Sequence, residues 1–196
     1  ILMVQRLRDE AAGLNTAGFV TGYRGSPMTA IDEELWRVED LLTAHHTKFW
    51  PGTNEQLAMT AVWGSQQTNY FNDSLYDGVY GMWYGKGPGL DQSLDALRQG
   101  NWHGAGKNGG VLICAGDDHN QTSTINNYSS ELLFADLFMP VLYPADIQEV
   151  LDYGVLGIEL SRFSGCWTGY KLLPETIETS ASVDASINRI QIVKPD

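Results

Sequence analysis

Gly110-Val111-Leu112-Ile113-Cys114-Ala115 is a continuous apolar run of mostly branched side chains, opened by a glycine pair. A strand with one wet face alternates apolar and polar residues. A strand apolar throughout is buried on both faces, as in a parallel sheet covered by helices above and below. Reading outward supports that setting. Downstream, residues 129–138 read as a helix, 140–143 as a strand, 145–160 as a helix and 166–173 as a last strand. Upstream, 78–83 is a β-type run, followed by a helix over 90–103. Before it come a helix over 3–16, strand 19–23, helix 27–44, strand 48–50 and a helix over 55–70. Ser26-Pro27 suits the start of the second helix, with a hydroxyl cap and a proline at the first helical position. Strands separated by helices predict an α/β fold: one domain over 1–196, built on a mostly parallel sheet with helices on both faces.

In such sheets ligands bind beyond the carboxyl ends of the strands. Every unusual loop follows a strand: 24–27, 51–55, 85–89 and 116–127. These four are expected to converge on one edge.

Composition narrows the partners. The 196 residues carry a net charge of -12, with 43% hydrophobic and 18% charged residues, so the chain is globular and repels phosphate backbones. Nucleic acid is therefore not an expected partner. No apolar run reaches the length of a membrane span, and the first ten residues do not read as a signal peptide, which points to a cytoplasmic protein. Cys114 and Cys166 sit in or beside apolar runs and read as buried thiols. Two cysteines cannot supply the four thiolates of an iron–sulfur cluster. Both ends look cut, so the chain reads as a fragment.

The motifs taken singly leave alternatives open. Gly85-Lys86-Gly87-Pro88-Gly89 is either a phosphate cradle or a structural turn, and it matches neither the P-loop nor the dinucleotide fingerprint. Gly116-Asp117-Asp118-His119, with Asn126-Asn127 downstream, has the wrong third residue and too short a gap for the magnesium–diphosphate element of thiamine enzymes. Three adjacent side chains on one loop seldom converge on one ion, so no metal site is assigned. Glu55 opens a helix, where a carboxylate is favoured by the dipole whatever else it does.

Read together, the pieces carry more. The chain resembles the indolepyruvate:ferredoxin oxidoreductase family, within the 2-oxoacid:ferredoxin oxidoreductases. The resemblance runs in order through residues 11–19, Gly22-Tyr23-Arg24-Gly25-Ser26-Pro27, Pro51-Gly52-Thr53-Asn54-Glu55 and 61–67. It continues through 81–89, 115–119, 140–144, 161–167 and 180–184. It implies the pyrimidine-binding domain of a thiamine-diphosphate enzyme that decarboxylates an aryl pyruvate such as indolepyruvate. The acyl group would leave on coenzyme A and the electrons would pass through iron–sulfur clusters to ferredoxin. It implies that Glu55 meets the cofactor's aminopyrimidine and that Pro51, Gly52, Gly85 and Gly87 line the cofactor. Ser26, Arg24, Lys86, Asp118 and His119 would face the substrate. Magnesium and the diphosphate would be held by another domain, the clusters would lie outside this chain, and the enzyme would be a homodimer. Two other readings stay open: a non-catalytic pyrimidine-like scaffold or dimerisation domain, and a transketolase-type thiamine enzyme.

Overall fold

A computed structural model describes residues 1–121 and 124–195. The strands among them are β1 (Thr16–Gly22), β2 (Thr47–Phe49), β3 (Gly78–Lys86), β4 (Val111–Gly116), β5 (Val141–Leu142) and β6 (Thr168–Leu172). They form one sheet in the order β2-β1-β3-β4-β6-β5, and every neighbouring pair is parallel. The run that opens the sequence reading is β4, buried at every residue and flanked on both sides. The helices are α1 (Leu2–Ala11), α2 (Thr29–Arg37), α3 (Glu39–Ala44), α4 (Glu55–Ser65), α5 (Gly87–Gln92), α6 (Leu94–His103), α7 (Ser130–Asp136), α8 (Ile147–Ser164) and α9 (Pro174–Ile177).

The helices cover both faces, as the continuous apolar strand requires. On one face Leu2 of α1, Leu35 of α2, Leu42 of α3 and Ile158 of α8 pack with Val20, Tyr80, Met82, Tyr84, Leu112 and Tyr170 of the sheet. On the other, Met59 and Val62 of α4, Leu90 of α5, Leu97 of α6 and Phe134 of α7 pack with Trp83, Val111 and Ile113. Strand β3 therefore sends tyrosines one way and a tryptophan the other, the two-residue alternation of a strand. Among the described residues, no helix is long and apolar enough to cross a membrane.

Several boundaries differ from the sequence reading. α1 ends at Ala11, because the chain turns through Gly13 at φ 79° and Thr16 already belongs to β1. Helix 27–44 is two helices: the backbone at Val38 leaves helical geometry (φ -109°, ψ 21°) and restarts at Glu39. Ser26-Pro27 does not cap α2. Its peptide is cis, Gly25–Met28 forms a tight turn closed by Met28 N to Gly25 O at 2.6 Å, and the helix starts at Thr29. α4 stops at Ser65 and is followed by a short 3-10 turn over Thr68–Tyr70. The 85–89 segment is not a loop. Gly85 and Lys86 finish β3 in register with Ala115 and Gly116, and Gly87 opens α5 at once. Both cysteines are free, but only Cys114 is fully buried, and burial pushes its thiol up to about 12. Cys166 is partly exposed because it follows Gly165, whose left-handed backbone ends α8 in a surface turn.

Candidate functional site

The chain leaves β1 for β2 on one side, then crosses to β3 on the other. That reversal opens a crevice at the carboxyl ends of β1 and β3, where open α/β sheets take their ligands. The segments after β1, β2, β3 and β4 all meet there. Gly52 N donates to Gly22 O at 2.9 Å, tying the β2 connection to the end of β1. Gly25 faces the Lys86 stem, and a β-carbon at 25 would lie 3.1 Å from Lys86 Cδ. Pro27 and Met28 pack over Gly116 at the end of β4. Tyr128, near the end of the β4 connection, covers Gly87, where a β-carbon would stand 2.5 Å from the tyrosine Cβ. The convergence expected of the four segments is what the structure has.

Glu55 is the first residue of α4 and half-buried. Asn54 caps the helix, its side chain accepting from Leu57 N at 2.8 Å, which contributes about 1 kcal/mol. Trp83, wholly buried under Gly85, donates its indole N–H to Glu55 O at 3.1 Å. The Glu55 side chain lies along α5 at Gly89, where a β-carbon would stand 2.6 Å from Oε1. The glycine thus makes the bed for the carboxylate. Pro51 and Gly52 are partly buried just before it.

Arg24 and Lys86 share the mouth of this crevice. Arg24 is exposed, Lys86 is half-buried, and neither makes an ion pair or hydrogen bond with the described residues. In a chain of net charge -12, two cations of neighbouring segments in no ion pair among the described residues are a place for an exogenous anion. Ser26, on the same segment as Arg24, is partly buried and already engaged.

The loop after β4 is held differently. Asp117 is fully buried, and its Oδ2 accepts from Ser130 N and Ser130 Oγ, both at 2.9 Å, so it ties the first residue of the loop to the first residue of α7. Lys171 Nζ stands 3.7 Å from Asp117 and 2.5 Å from Glu131. Burial raises the Asp117 carboxyl above its ordinary range, outweighing Ser130 and Lys171, and its Oδ1 has no hydrogen-bond partner among the described residues. Asp118 is buried beside it. His119 turns away to Glu175, 3.4 Å from Nε2, and lines a cavity of about 550 Å³ with Tyr143, Leu173 and Thr176. None of Glu55, Arg24 or Lys86 lines that cavity. Sequence reasoning missed Trp83 and Tyr128. Trp83 stands two residues before Gly85, which was a signal, whereas Tyr128 has no glycine near it in the sequence and carried none.

A cavity of about 740 Å³ lies away from the crevice. It runs along the β1–β2 side of the sheet, lined by Phe19, His46, Lys48, Trp50, Ala61 and Tyr76 among others. Among the described residues, no group of three or more His, Cys, Asp or Glu side chains is placed to hold a metal ion.

No family model matches the sequence, and no curated protein is similar to it. Among solved structures, the chain is similar to the 2-oxoglutarate:ferredoxin oxidoreductase from Magnetococcus marinus, determined with 2-oxoglutarate, coenzyme A and succinyl-CoA bound. The likeness is one of fold. The TM-score is 0.56 at 16% identity, covering 87% of this chain and 28% of that one. The chain therefore spans less than a third of the structure it matches, and function has to be argued from its own residues.

Proposed function

We propose that this chain is the pyrimidine-binding domain of a thiamine-diphosphate-dependent 2-oxoacid:ferredoxin oxidoreductase, with aryl pyruvates such as indolepyruvate as substrates. The observation that carries the reading is the Glu55 carboxylate, held at the head of α4 and laid against Gly89 inside the crevice. The residues fit the cofactor on that ground: a carboxylate backed by a glycine, half-shielded from water, suits a nitrogen heterocycle that needs one hydrogen-bonding acid. When bound, thiamine diphosphate supplies a carbon nucleophile for the ketone carbon and takes up the electron pair released with carbon dioxide.

Within this chain Glu55 hydrogen-bonds a ring nitrogen of the aminopyrimidine and holds the proton there. A preorganised acid in a partly dry crevice is worth far more than one in water. Pro51, Gly52, Gly85 and Gly87 line the cofactor in this proposal, through their backbone, since the space a side chain would take at Gly85 and Gly87 is filled by Trp83 and Tyr128. Arg24 and Lys86 hold the substrate carboxylate as a pair of cations, and Ser26 lies on the same segment as Arg24. Asp118, buried on the neighbouring loop, bears on the side chain of the substrate, whereas His119 faces Glu175 and a separate cavity and takes no part in this proposal. Magnesium with the diphosphate, the iron–sulfur clusters, coenzyme A and ferredoxin are assigned to other parts of the enzyme. A homodimer completes the proposal.

Replacing Glu55 with Gln in the complete enzyme is expected to lower kcat by about 10²–10⁴-fold, the range for loss of a positioned acid or base, with the melting temperature unchanged. Turnover within a few-fold of wild type would remove Glu55 from the chemistry.

A scaffold reading has one observation in its favour: the 740 Å³ groove leaves Trp50 and Lys48 exposed on a parallel sheet, whose faces are normally covered. Full activity loss in Glu55→Gln decides between the two.

A further inference from the structure

Two tyrosines on β3 offer an internal comparison. Tyr80 and Tyr84 are both fully buried, both face the same half of the core, and both hydroxyls donate to one acceptor. Tyr80, toward the amino end, donates to Leu2 O at 3.0 Å. Tyr84, at the carboxyl end, donates to the Asp32 carboxylate of α2 in a short hydrogen bond. A buried hydroxyl needs an acceptor, and a backbone carbonyl serves as well as any. A buried carboxylate is a costly substitute unless it does something more.

What Tyr84 touches accounts for the difference. Its carbonyl accepts from Tyr23 N at 3.1 Å, where the chain leaves β1. Its ring fills the space beside Gly22, where a β-carbon would stand 2.6 Å from Cγ. Its hydroxyl reaches Asp32, just past the other end of the same connection. Two residues on, the Lys86 stem lies against Gly25 in the middle of it. One strand thus grips the segment carrying Arg24 and Ser26 at its entry, its middle and its exit. The Arg24 guanidinium is near enough to act on the Tyr84 hydroxyl, which burial and Asp32 push the other way.

We infer that Tyr84 and Asp32 are positioning residues that fix the Arg24–Ser26 segment against Lys86, and so set affinity for the 2-oxo acid carboxylate without entering the chemistry. The inference rests on the function proposed above for its ligand, but not for its mechanics. The test is Tyr84→Phe beside Tyr80→Phe in the full-length protein, which removes one buried hydroxyl at each end of one strand. Both variants are expected to lose thermal stability, Tyr84→Phe the more because it strands the buried Asp32 carboxylate. Only Tyr84→Phe is expected to raise KM for the 2-oxo acid, by about tenfold for a lost hydrogen bond to a charged group, with kcat nearly kept. Amide hydrogen exchange read without substrate is expected to quicken over residues 22–28 in Tyr84→Phe and not in Tyr80→Phe. Equal exchange over 22–28 in the two variants overturns the positioning role. So does a fall in kcat at constant KM. Faster exchange confined to Tyr84→Phe, in a protein that turns over no 2-oxo acid, keeps the positioning role and removes the proposed substrate.

Discussion

The two ends of the sheet are built on opposite rules. At the amino end, Asp9 accepts from Arg162 through both oxygens, at 2.6 and 2.8 Å, and also from Gln5 at 3.0 Å and Thr16 at 2.6 Å. Arg162 reaches on to Glu159 at 2.9 Å and to Gly109 O at 2.6 Å, and Lys194 closes on Glu159 at 2.9 Å. Each charge there has its opposite. At the carboxyl end, Arg24 and Lys86 make no ion pair among the described residues, Asp117 keeps one oxygen without a partner among them, and glycines stand where Trp83, Tyr128 and Glu55 need the space. One end is laced by ion pairs, with Gln5 Oε1 and Arg6 Nε left without a partner among the described residues, and the other holds its two cations outside any ion pair among those residues. That division is expected when one edge holds the fold and the other holds a ligand, since sites carry unmet demand that the rest of the molecule offsets.

The sharpest way to break the comparison is at Arg162. Its bidentate pair joins α8 to α1, so Arg162→Ala leaves Asp9 and Glu159 buried side by side. A loss of about 3–5 kcal/mol in denaturant unfolding is expected, with activity per folded molecule unchanged. A change in KM would mean the two ends are coupled. Next comes Gly89→Ala. Alanine is the better helix former by up to about 1 kcal/mol, so stability holds or rises, while the added carbon displaces the Glu55 carboxylate. A drop in kcat of about tenfold or more is expected, the signature of a group moved rather than removed. Unchanged kcat would show that Glu55 works elsewhere than against α5.

The smallest effect separates the ends by pH. Glu159 is raised by burial, but Arg162, Lys194 and Gln5 pull it net below its ordinary 4.5. It therefore contributes stability above the unfolded value, lost as pH falls through the native one. Asp117 is the reverse: its native value lies above the ordinary 3.8, so it contributes stability below that pH, lost as pH rises through the native value. Asp117→Asn is expected to change stability by within about 1 kcal/mol at pH 7. Its difference from wild type should move in favour of the variant as pH rises from below 3.8. Melting curves that run parallel across that window would mean Asp117 is ionised normally.

Much of the carboxyl end was legible because its signals are local. A glycine-bounded apolar run fixes β4, and turn residues after each strand mark the crevice before any contact is known. Residues 51–54 marked Glu55 only as the opening of a helix, and its part in a site came from the family resemblance. The amino end was not legible at all: residues 9, 159 and 162 are apart in sequence and ordinary in type, and only folding makes them one cluster. The 85–89 segment misled because glycine reads as a turn, whereas here its missing side chains admit Trp83, Tyr128 and Glu55. The break at Val38 gives no sequence signal, since an apolar residue on the inner stripe fits a continuous helix equally well.

The alternation of β3 puts an unusual burden on one segment. Tyr80, Met82 and Tyr84 belong to one half of the core, Trp83 to the other, and Lys86 to the mouth of the crevice. A single-residue deletion at 78 or 79 would shift every residue after it to the opposite face, driving indole into the space of phenol and turning Lys86 away from the crevice. In these nine residues the number is as much a part of the design as the side chains, because parity assigns each one its face.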